Sequence, residues 1–371
     1  MKRICHITTV HPRYDNRILQ KECRSLAKEG YKVYLIVNDE YADEEVDGVS
    51  IVSTHKKRKN RWTRILFAPL DAYKEASKLK ADLYHLHDPE LLFIVKRLKR
   101  ISPVIFDSHE FTAEQILEKF YIPKVLRCCL AKFYRYLERK IINKIDGLIV
   151  PCTYAGQDYF EGAYKKIAYV NNVPSITKLD FQEIPYNRRS IEALYLGGIT
   201  LQRGAREMIQ AAYQAKICLN IGGRFSPVEL ENELKNMEEY HSVNYLGILD
   251  RKQVRNILGD SKIGICLLQN SGQYRNLDNL PTKIYEYMAA EIPVIASDFP
   301  YYKKIIDKNQ AGICVNPEDI RAIAEAIRYL MEHPDKAKEM GKNGRRLVEE
   351  KFNWEQEKQH LFELYKSILY E

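Results

Sequence analysis

The run Asp278-Asn279-Leu280-Pro281-Thr282-Lys283-Ile284-Tyr285-Glu286-Tyr287-Met288-Ala289-Ala290 continues into Glu291-Ile292-Pro293-Val294-Ile295-Ala296-Ser297-Asp298. It reads as a polar loop, a helix with a carboxylate in its early turns, and a short apolar strand. Asp278 and Glu286 therefore stand around one helix start beside a β-strand. In α/β domains that is where sites for phosphates and sugar hydroxyls form.

Upstream of this run the same alternation holds back to about residue 191. Strands are predicted at 191–196, 217–221, 243–246 and 263–268, separated by helices at 205–215, 229–239 and 251–259. Downstream come strands at 294–297 and 313–315 and two closing helices. Residues 171–185 lapse into Asn, Pro, Ser and isolated charges, the composition of an interdomain linker. Before the linker the alternation is similar, with strands at 4–10, 31–38, 49–53, 83–86, 104–106, 147–151 and 167–170. A helix is predicted over 16–29, stopped by Gly30, and a long helical region over 114–143 is interrupted at Ile122-Pro123. Strands separated by helices imply parallel sheets with right-handed crossovers. The fold class is α/β, two doubly wound Rossmann-like domains facing a central cleft, with ligands at the strand C-termini.

The totals agree with two domains of ordinary size in 371 residues, 45% of them hydrophobic and 29% charged. No apolar run approaches the roughly 20 residues needed to span a bilayer. Met1-Lys2-Arg3-Ile4-Cys5-His6-Ile7 enters a β-like run with no signal-peptide pattern, so a cytoplasmic address is expected. The eight cysteines include no Cys-x-x-Cys pair, and most lie in apolar runs, which predicts reduced core residues. Residues 1–172 hold 31 Lys and Arg against 22 Asp and Glu, a net +9, whereas 173–371 hold 27 against 28, a net −1. Such asymmetry fits a polyanionic or membrane-surface partner for the first half, or a solvated basic face.

Two loops supply phosphate chemistry. Tyr195-Leu196-Gly197-Gly198-Ile199-Thr200-Leu201-Gln202-Arg203-Gly204 runs from a strand through a double glycine to a cation. Leu219-Asn220-Ile221-Gly222-Gly223-Arg224 repeats the idea. Glycine lets a phosphate approach the backbone, and arginine offers a fork that matches phosphate oxygens. Either loop alone is equally well explained by turn geometry. Together with Asp278 and Glu286 they indicate a nucleotide-sugar pocket.

The order Gly-Gly-x4-Arg-Gly, Ile-Gly-Gly, Asp-x7-Glu-x-Met-Ala-Ala, Pro-Val-Ile-Ala-Ser-Asp resembles the C-terminal domain of retaining family-4 glycosyltransferases of the GT-B fold. His11-Pro12-Arg13-Tyr14-Asp15-Asn16-Arg17-Ile18, with Glu22 and Gly30-Tyr31-Lys32-Val33, is similar to the opening of capsule and exopolysaccharide members. The resemblance implies an acceptor-binding domain over 1–172, a donor-binding domain over 173–353, and a C-terminal helix 354–371 packing back on the first domain. Glu286 would bind the ribose and Asp278 would lie near the donor sugar, an aspartate where the family has glutamate. Asn279, Leu280 and Pro281 would present backbone amides to the sugar or diphosphate. Arg203 takes the place of the family's basic residue on the pyrophosphate. Gly198 stands where many members carry another arginine, a loss that Arg224 is placed to offset, with Gly197 and Gly222 giving clearance. His109, in Asp107-Ser108-His109-Glu110, resembles the histidine that faces the donor sugar. His109, Asp278 and Arg203 are thus the catalytic candidates. His11, Asp15, Arg17 and the pair His87-Asp88 are the acceptor candidates, with Asp15 equally suited to cap the following helix.

The resemblance also implies that no metal or other cofactor is needed. The chain shows no Asp-x-Asp and no ligand-spaced His/Cys cluster. The run 55–67 joins Lys56, Lys57, Arg58 and Lys59 to Trp62, Leu66 and Phe67. Residues 119–144 interleave Phe120, Tyr121, Leu126, Phe133 and Tyr136 with Lys124, Arg127, Lys132 and Arg135. Such segments suit an anionic membrane surface, and equally an ordinary helix with a core stripe. A polyprenyl-diphosphate-linked acceptor would account for both, and no nucleic-acid motif accompanies the charge. The leading expectation is a retaining transferase moving a sugar from a nucleotide-diphosphate sugar to a glycan or lipid-linked acceptor in cell-surface polysaccharide synthesis. The alternatives are a nucleotide-sugar epimerase and a weakly active scaffold subunit of a polysaccharide assembly complex. A nicotinamide enzyme is disfavoured, because no Gly-x-Gly-x-x-Gly follows the first strand.

Overall fold

The computed structural model describes all residues except Lys59, Phe120, Tyr121, 177–180, 182, 183 and Glu371. Lys59 of the basic run, Phe120 and Tyr121 of the second basic segment, and part of the 171–185 linker therefore lie outside the described residues. The chain divides into two compact units, Met1–Asn172 with Glu355–Glu371, and Val173–Trp354.

Among the described residues the first unit holds eight strands: β1 (Arg3–Ile7), β2 (Lys32–Val37), β3 (Glu44–Val46), β4 (Val49–Ser53), β5 (Leu83–Leu86), β6 (Val104–Asp107), β7 (Gly147–Val150) and β8 (Ile167–Tyr169). Their order is β3-β4-β2-β1-β5-β6-β7-β8. All neighbours are parallel except β3 on β4. Every residue of β5, β6 and β7 is buried, as a parallel sheet covered on both faces requires. β3 is an addition to the expected strands. Asp47 and Gly48, both at positive φ, close a two-residue hairpin onto β4. Strand order reverses about β1 and β5, whose C-terminal ends are therefore the natural ligand position of this unit.

The helix expected over 16–29 begins differently. Ile18–Cys23 is a wide π-helical turn, followed by an α-helix Arg24–Lys28. The Arg17 carbonyl accepts from the Glu22 amide, five residues on. That spacing turns Arg17 and Glu22 to the same inner side, where a regular α-helix would separate them. The C-terminal helix Trp354–Leu369 belongs with the first unit from Glu355 onward. It buries Tyr365 and sets Ile368 against Gly147 so closely that a Cβ there would lie 2.7 Å from Ile368 Cδ1.

The second unit is a six-stranded, wholly parallel sheet: β9 (Ile191–Leu196), β10 (Leu219–Gly222), β11 (Val243–Gly247), β12 (Ser261–Cys266), β13 (Val294–Ser297) and β14 (Gly312–Val315). Its order is β11-β10-β9-β12-β13-β14, with the reversal between β9 and β12. Helices Ala205–Ala215 and Ile320–Glu332 feed one buried apolar cluster, and helix Thr282–Ala289 feeds another with Leu347 and Val348. Each face of the sheet is thus sealed, leaving its strand ends for polar work. Eight free cysteines are present: Cys5, Cys23, Cys152 and Cys266 are buried, as expected of core thiols, but Cys129 and Cys218 are exposed. No described helix is long and apolar enough to cross a membrane.

Candidate active site

In the second unit the two glycine loops touch. The Gly197 amide donates to the Gly222 carbonyl at 2.9 Å, and the Ile199 amide to the Arg224 carbonyl at 2.8 Å. Gly223 sits at φ +145°, and a Cβ there would lie 1.9 Å from the Gly197 carbonyl oxygen. Neither that conformation nor that approach admits a side chain. After Gly198 a short helical turn, Leu201–Arg203, is capped by the Thr200 hydroxyl, which accepts from the Arg203 amide at 3.2 Å. The Arg203 side chain folds back so that a Cβ on Gly198 would be 3.2 Å from its Nη1.

A second cation arrives from another element. Lys283, in the first turn of helix Thr282–Ala289, brings Nζ to where a Cβ on Gly197 would be only 2.9 Å away. Its ammonium lies 3.8 Å from the centroid of the Tyr195 ring, a cation–π contact. The Tyr195 hydroxyl donates to the Gly198 carbonyl at 2.7 Å. Among the described residues Lys283 Nζ has no hydrogen-bond partner. Burial, with the Arg203 charge adding to it, pulls the Lys283 pKa down to about 8, against smaller opposing effects of Cys266 and Glu286. Two cations that converge on glycines at strand ends, one lacking any acceptor, form a receptor for a multiply charged anion.

The acids stand on the same helix and its approach. Glu286 lies one turn after Lys283 and is partly exposed. Asp278 is partly exposed in the loop before the helix. Asn279 Oδ1 accepts from the Tyr285 hydroxyl at 3.0 Å, which fixes the loop, and Leu280 is buried beneath it. Pro281 leads into the helix in an extended conformation. Arg224, expected to offset the absent arginine at Gly198, has an exposed side chain, so the second cation beside Arg203 is Lys283, whose ammonium is buried. Lys283 is silent in the sequence, because a lysine in a first helical turn ordinarily faces water.

The first unit assembles its own polar cluster at the ends of β1, β5 and β6. Asp88 ties the loop after β1 to the end of β5: its Oδ2 accepts from the Thr9 amide at 2.6 Å, the Thr8 hydroxyl at 2.8 Å and the Val10 amide at 3.2 Å. His11 stands over it, Nδ1 3.3 Å from Asp15 Oδ2 and Nε2 3.6 Å from Asp88 Oδ1. Burial opposes the His11 charge, but the bond to Asp15 and the charges of Asp88, Asp15 and Asp107 outweigh it, and its pKa is raised. Asp15 also caps the following turn, its Oδ1 accepting from the amides of Arg17 and Ile18 at 2.8 and 2.9 Å. Burial works against the Asp15 charge, yet the His11 bond and these amides hold its carboxyl well below the usual range. The His109 ring centroid lies 4.9 Å from that of His11, and its Nε2 is 3.2 Å from Asp107 Oδ2.

Three expected acceptor residues take other parts: buried Asp88 braces the loop after β1, and Arg17 and His87 lie behind it. Arg17 is buried: Nε donates to Glu22 Oε1 at 2.9 Å, and Nη2 donates to both Asp107 oxygens at 3.0 and 2.9 Å. The wide turn at Ile18–Cys23 is the cause, since it carries the guanidinium inward. His87 is buried too, with Nδ1 3.0 Å from His109 Nε2. Desolvation lowers the His87 pKa to about 4, partly countered by Asp107. Arg17 and His87 are therefore supports behind the surface that His11, Asp15 and His109 form.

The glycosyltransferase model "Glycosyl transferases group 1" matches residues 177–347, and "Glycosyltransferase Family 4" matches residues 16–173. Spore coat protein SA of Bacillus subtilis (strain 168) is 25% identical over 188 residues, 47% of this chain and 48% of that protein. The chain spans about half the length of the curated relatives it matches. Among solved structures, sucrose-phosphate synthase from Thermosynechococcus elongatus superimposes with a TM-score of 0.78 at 17% identity, over 99% of both chains. Anabaena HepE in complex with UDP-glucose gives 0.71 at 13% identity, over 99% of this chain and 100% of that one. These likenesses establish the GT-B fold.

Proposed function

The chain belongs to the family-4-type glycosyltransferases of the GT-B fold, and from that premise we propose that it transfers a sugar from a nucleotide-diphosphate sugar to a hydroxyl of a glycan or lipid-linked acceptor. The observation that carries the reading is the pair Arg203 and Lys283 converging on Gly197 and Gly198, with the Lys283 ammonium lacking an acceptor. A diphosphate supplies the missing anion, and the glycines let its oxygens reach the backbone. The complexes of Anabaena HepE with UDP and with UDP-glucose support a donor of this class.

Glu286 takes the ribose hydroxyls, and Asp278 with the 279–281 backbone takes the sugar. Two cations neutralise the departing diphosphate, so the leaving group is stabilised without a metal ion at that position. In the first unit His109, held by Asp107, is the catalytic candidate, with His11 and Asp15 at the acceptor, and the anomeric configuration is retained. The acceptor is carried on a polyprenyl diphosphate in cell-surface polysaccharide synthesis, at an anionic membrane face. Support comes from helix Arg61–Leu79, which exposes Trp62 (73%), Leu66 and Phe67 beside Arg58, and from helix Lys124–Ile142, which exposes Val125, Leu126, Phe133 (61%) and Tyr136.

The test is turnover of a nucleotide-sugar panel, with no added metal, in the presence and absence of anionic vesicles carrying a polyprenyl-diphosphate glycan. Vesicle-dependent release of nucleoside diphosphate, with a product of retained configuration, supports the reading. Conversion of the donor alone points instead to an epimerase, and no turnover of any donor points to a scaffold.

A further inference from the structure

Beneath the first unit's loops, β1, β5 and the turn Ile18–Cys23 enclose His6, Glu22, His85 and His87, all buried. One ligand-capable atom from each of the four lies within 4.8 Å of those of the others. Nothing in the sequence spacing announces this, since His6 and His87 lie 81 positions apart. Three imidazoles and one carboxylate match in kind and number a closed, four-coordinate site for a divalent transition metal. Such a group is independent of the donor-binding reading.

The hydrogen bonding decides what the cluster is for. Among the described residues Glu22 Oε2 and His85 Nε2 have no hydrogen-bond partner, although both residues are fully buried. Native proteins leave few such atoms unanswered, and an ion is one of the standard answers. The remaining polar atoms are held from outside. His6 Nε2 and His85 Nδ1 face the Tyr365 hydroxyl at 3.2 and 2.7 Å, and its oxygen has two lone pairs to accept both N–H groups. His87 Nδ1 faces His109 Nε2 at 3.0 Å and Asp107 Oδ2 at 3.7 Å. Glu22 Oε1 accepts from Arg17 Nε at 2.9 Å. Each ligand candidate is thus oriented through its second polar atom, the arrangement that outer partners give to metal ligands.

An N–H···N bond between His6 Nδ1 and His87 Nε2, 2.8 Å apart, satisfies those two nitrogens and neither orphan. A cation answers all four. Two buried carboxyl groups, Glu22 and Asp107, flank the single guanidinium of Arg17. A Zn–N bond of about 2.0–2.1 Å requires ligand nitrogens about 3.3 Å apart, so His6 and His87 separate by about half an ångström on binding. We propose that His6, Glu22, His85 and His87 bind one divalent transition metal ion, zinc by ligand preference, that braces β1, β5 and the first helical turn. With all four positions filled by protein the ion has no place for substrate, and its role is structural.

The test uses the full chain prepared without a polyhistidine tag. Its metal content is measured, and its melting temperature is followed with dipicolinate and then with added zinc. Cobalt(II) is loaded to read coordination by visible absorption. The proposal expects about one bound ion, a melting temperature that falls with chelator and recovers with zinc, and an intense tetrahedral cobalt band. In Glu22→Gln and His85→Ala the bound ion and the cobalt band are lost. Metal retained by both variants overturns the proposal, since the ion then sits elsewhere. Should the variants fail to fold, the cobalt spectrum of the unmodified chain decides: a weak octahedral spectrum, or none, overturns it.

Discussion

Replacing Lys283 by methionine is expected to stabilise the ligand-free protein and to weaken its grip on a diphosphate. The Lys283 pKa of about 8, against 10.5 for an ordinary lysine, corresponds to at most about 3–4 kcal/mol of unfavourable burial at about 1.4 kcal/mol per pH unit. The ammonium over the Tyr195 ring returns about 0.5–2 kcal/mol. The difference leaves roughly 1–3 kcal/mol of net cost in the charged state, which methionine of similar shape removes. At about 2–4 °C per kcal/mol for a unit of this size, Lys283→Met raises the melting temperature by several degrees at pH 7. The sign with pH follows from proton counting. Between about pH 8 and 10.5 the unfolded chain holds a proton on Lys283 that the folded chain lacks, so wild-type stability rises with pH across that window. Below pH 8 the cost is fully present. The advantage of the variant is therefore greatest at pH 7 and fades toward pH 10.5. Scanning calorimetry at pH 7, 8.5 and 10, with and without a nucleoside diphosphate, reads both effects; loss of a charge-assisted phosphate contact weakens binding roughly 10–100-fold. A variant that melts below wild type at pH 7, or keeps the full ligand shift, refutes the reasoning.

Gly223→Ala sets a Cβ 1.9 Å from the Gly197 carbonyl at a φ that L-residues avoid; a loss of more than about 2 kcal/mol in urea unfolding is expected. Asp88→Ala strips acceptors from the buried amide of Thr9 and the hydroxyl of Thr8, which predicts a loss of about 2–4 kcal/mol by the same assay. His11 has its pKa raised by burial-resistant contacts with Asp15 and Asp88, so its stabilisation is complete below the unfolded value near 6.5 and disappears as pH rises through the folded value. His11→Gln should accordingly lower the melting temperature at pH 5.5 and leave it unchanged at pH 9.

Much of the α/β pattern was readable because buried parallel strands such as Leu83–Leu86 and Val104–Asp107 are compact apolar runs ending in polar clusters. Helices Ala205–Ala215 and Arg251–Gly259 lie where the strand–helix alternation puts them. β3 is silent by pattern, since Glu44 and Glu45 carry no apolar alternation; the Asp47-Gly48 pair is its one local signal. Arg17 and Glu22 look like ordinary surface charges, and only the widened turn between them brings them inside. Lys283 illustrates a different limit. It stands in the most informative run of the chain, but the direction of its side chain depends on the missing side chain of Gly197 and on the Tyr195 ring, in loops far away in sequence. The four buried ligand candidates are the extreme case, because strand pairing of β1 with β5 is what makes neighbours of His6 and His85.

Binding of a nucleotide-sugar diphosphate by the second unit would run through Arg203, Lys283 and Glu286. Titration calorimetry of the intact chain with a panel of nucleoside diphosphates, without added metal, tests it most directly when repeated with Glu286→Ala. Saturable binding of at least one nucleoside diphosphate is expected, weakened about 10–100-fold by the substitution through loss of charged hydrogen bonds to the ribose. Binding of no member at millimolar concentration, or equal affinity in Glu286→Ala, would contradict it.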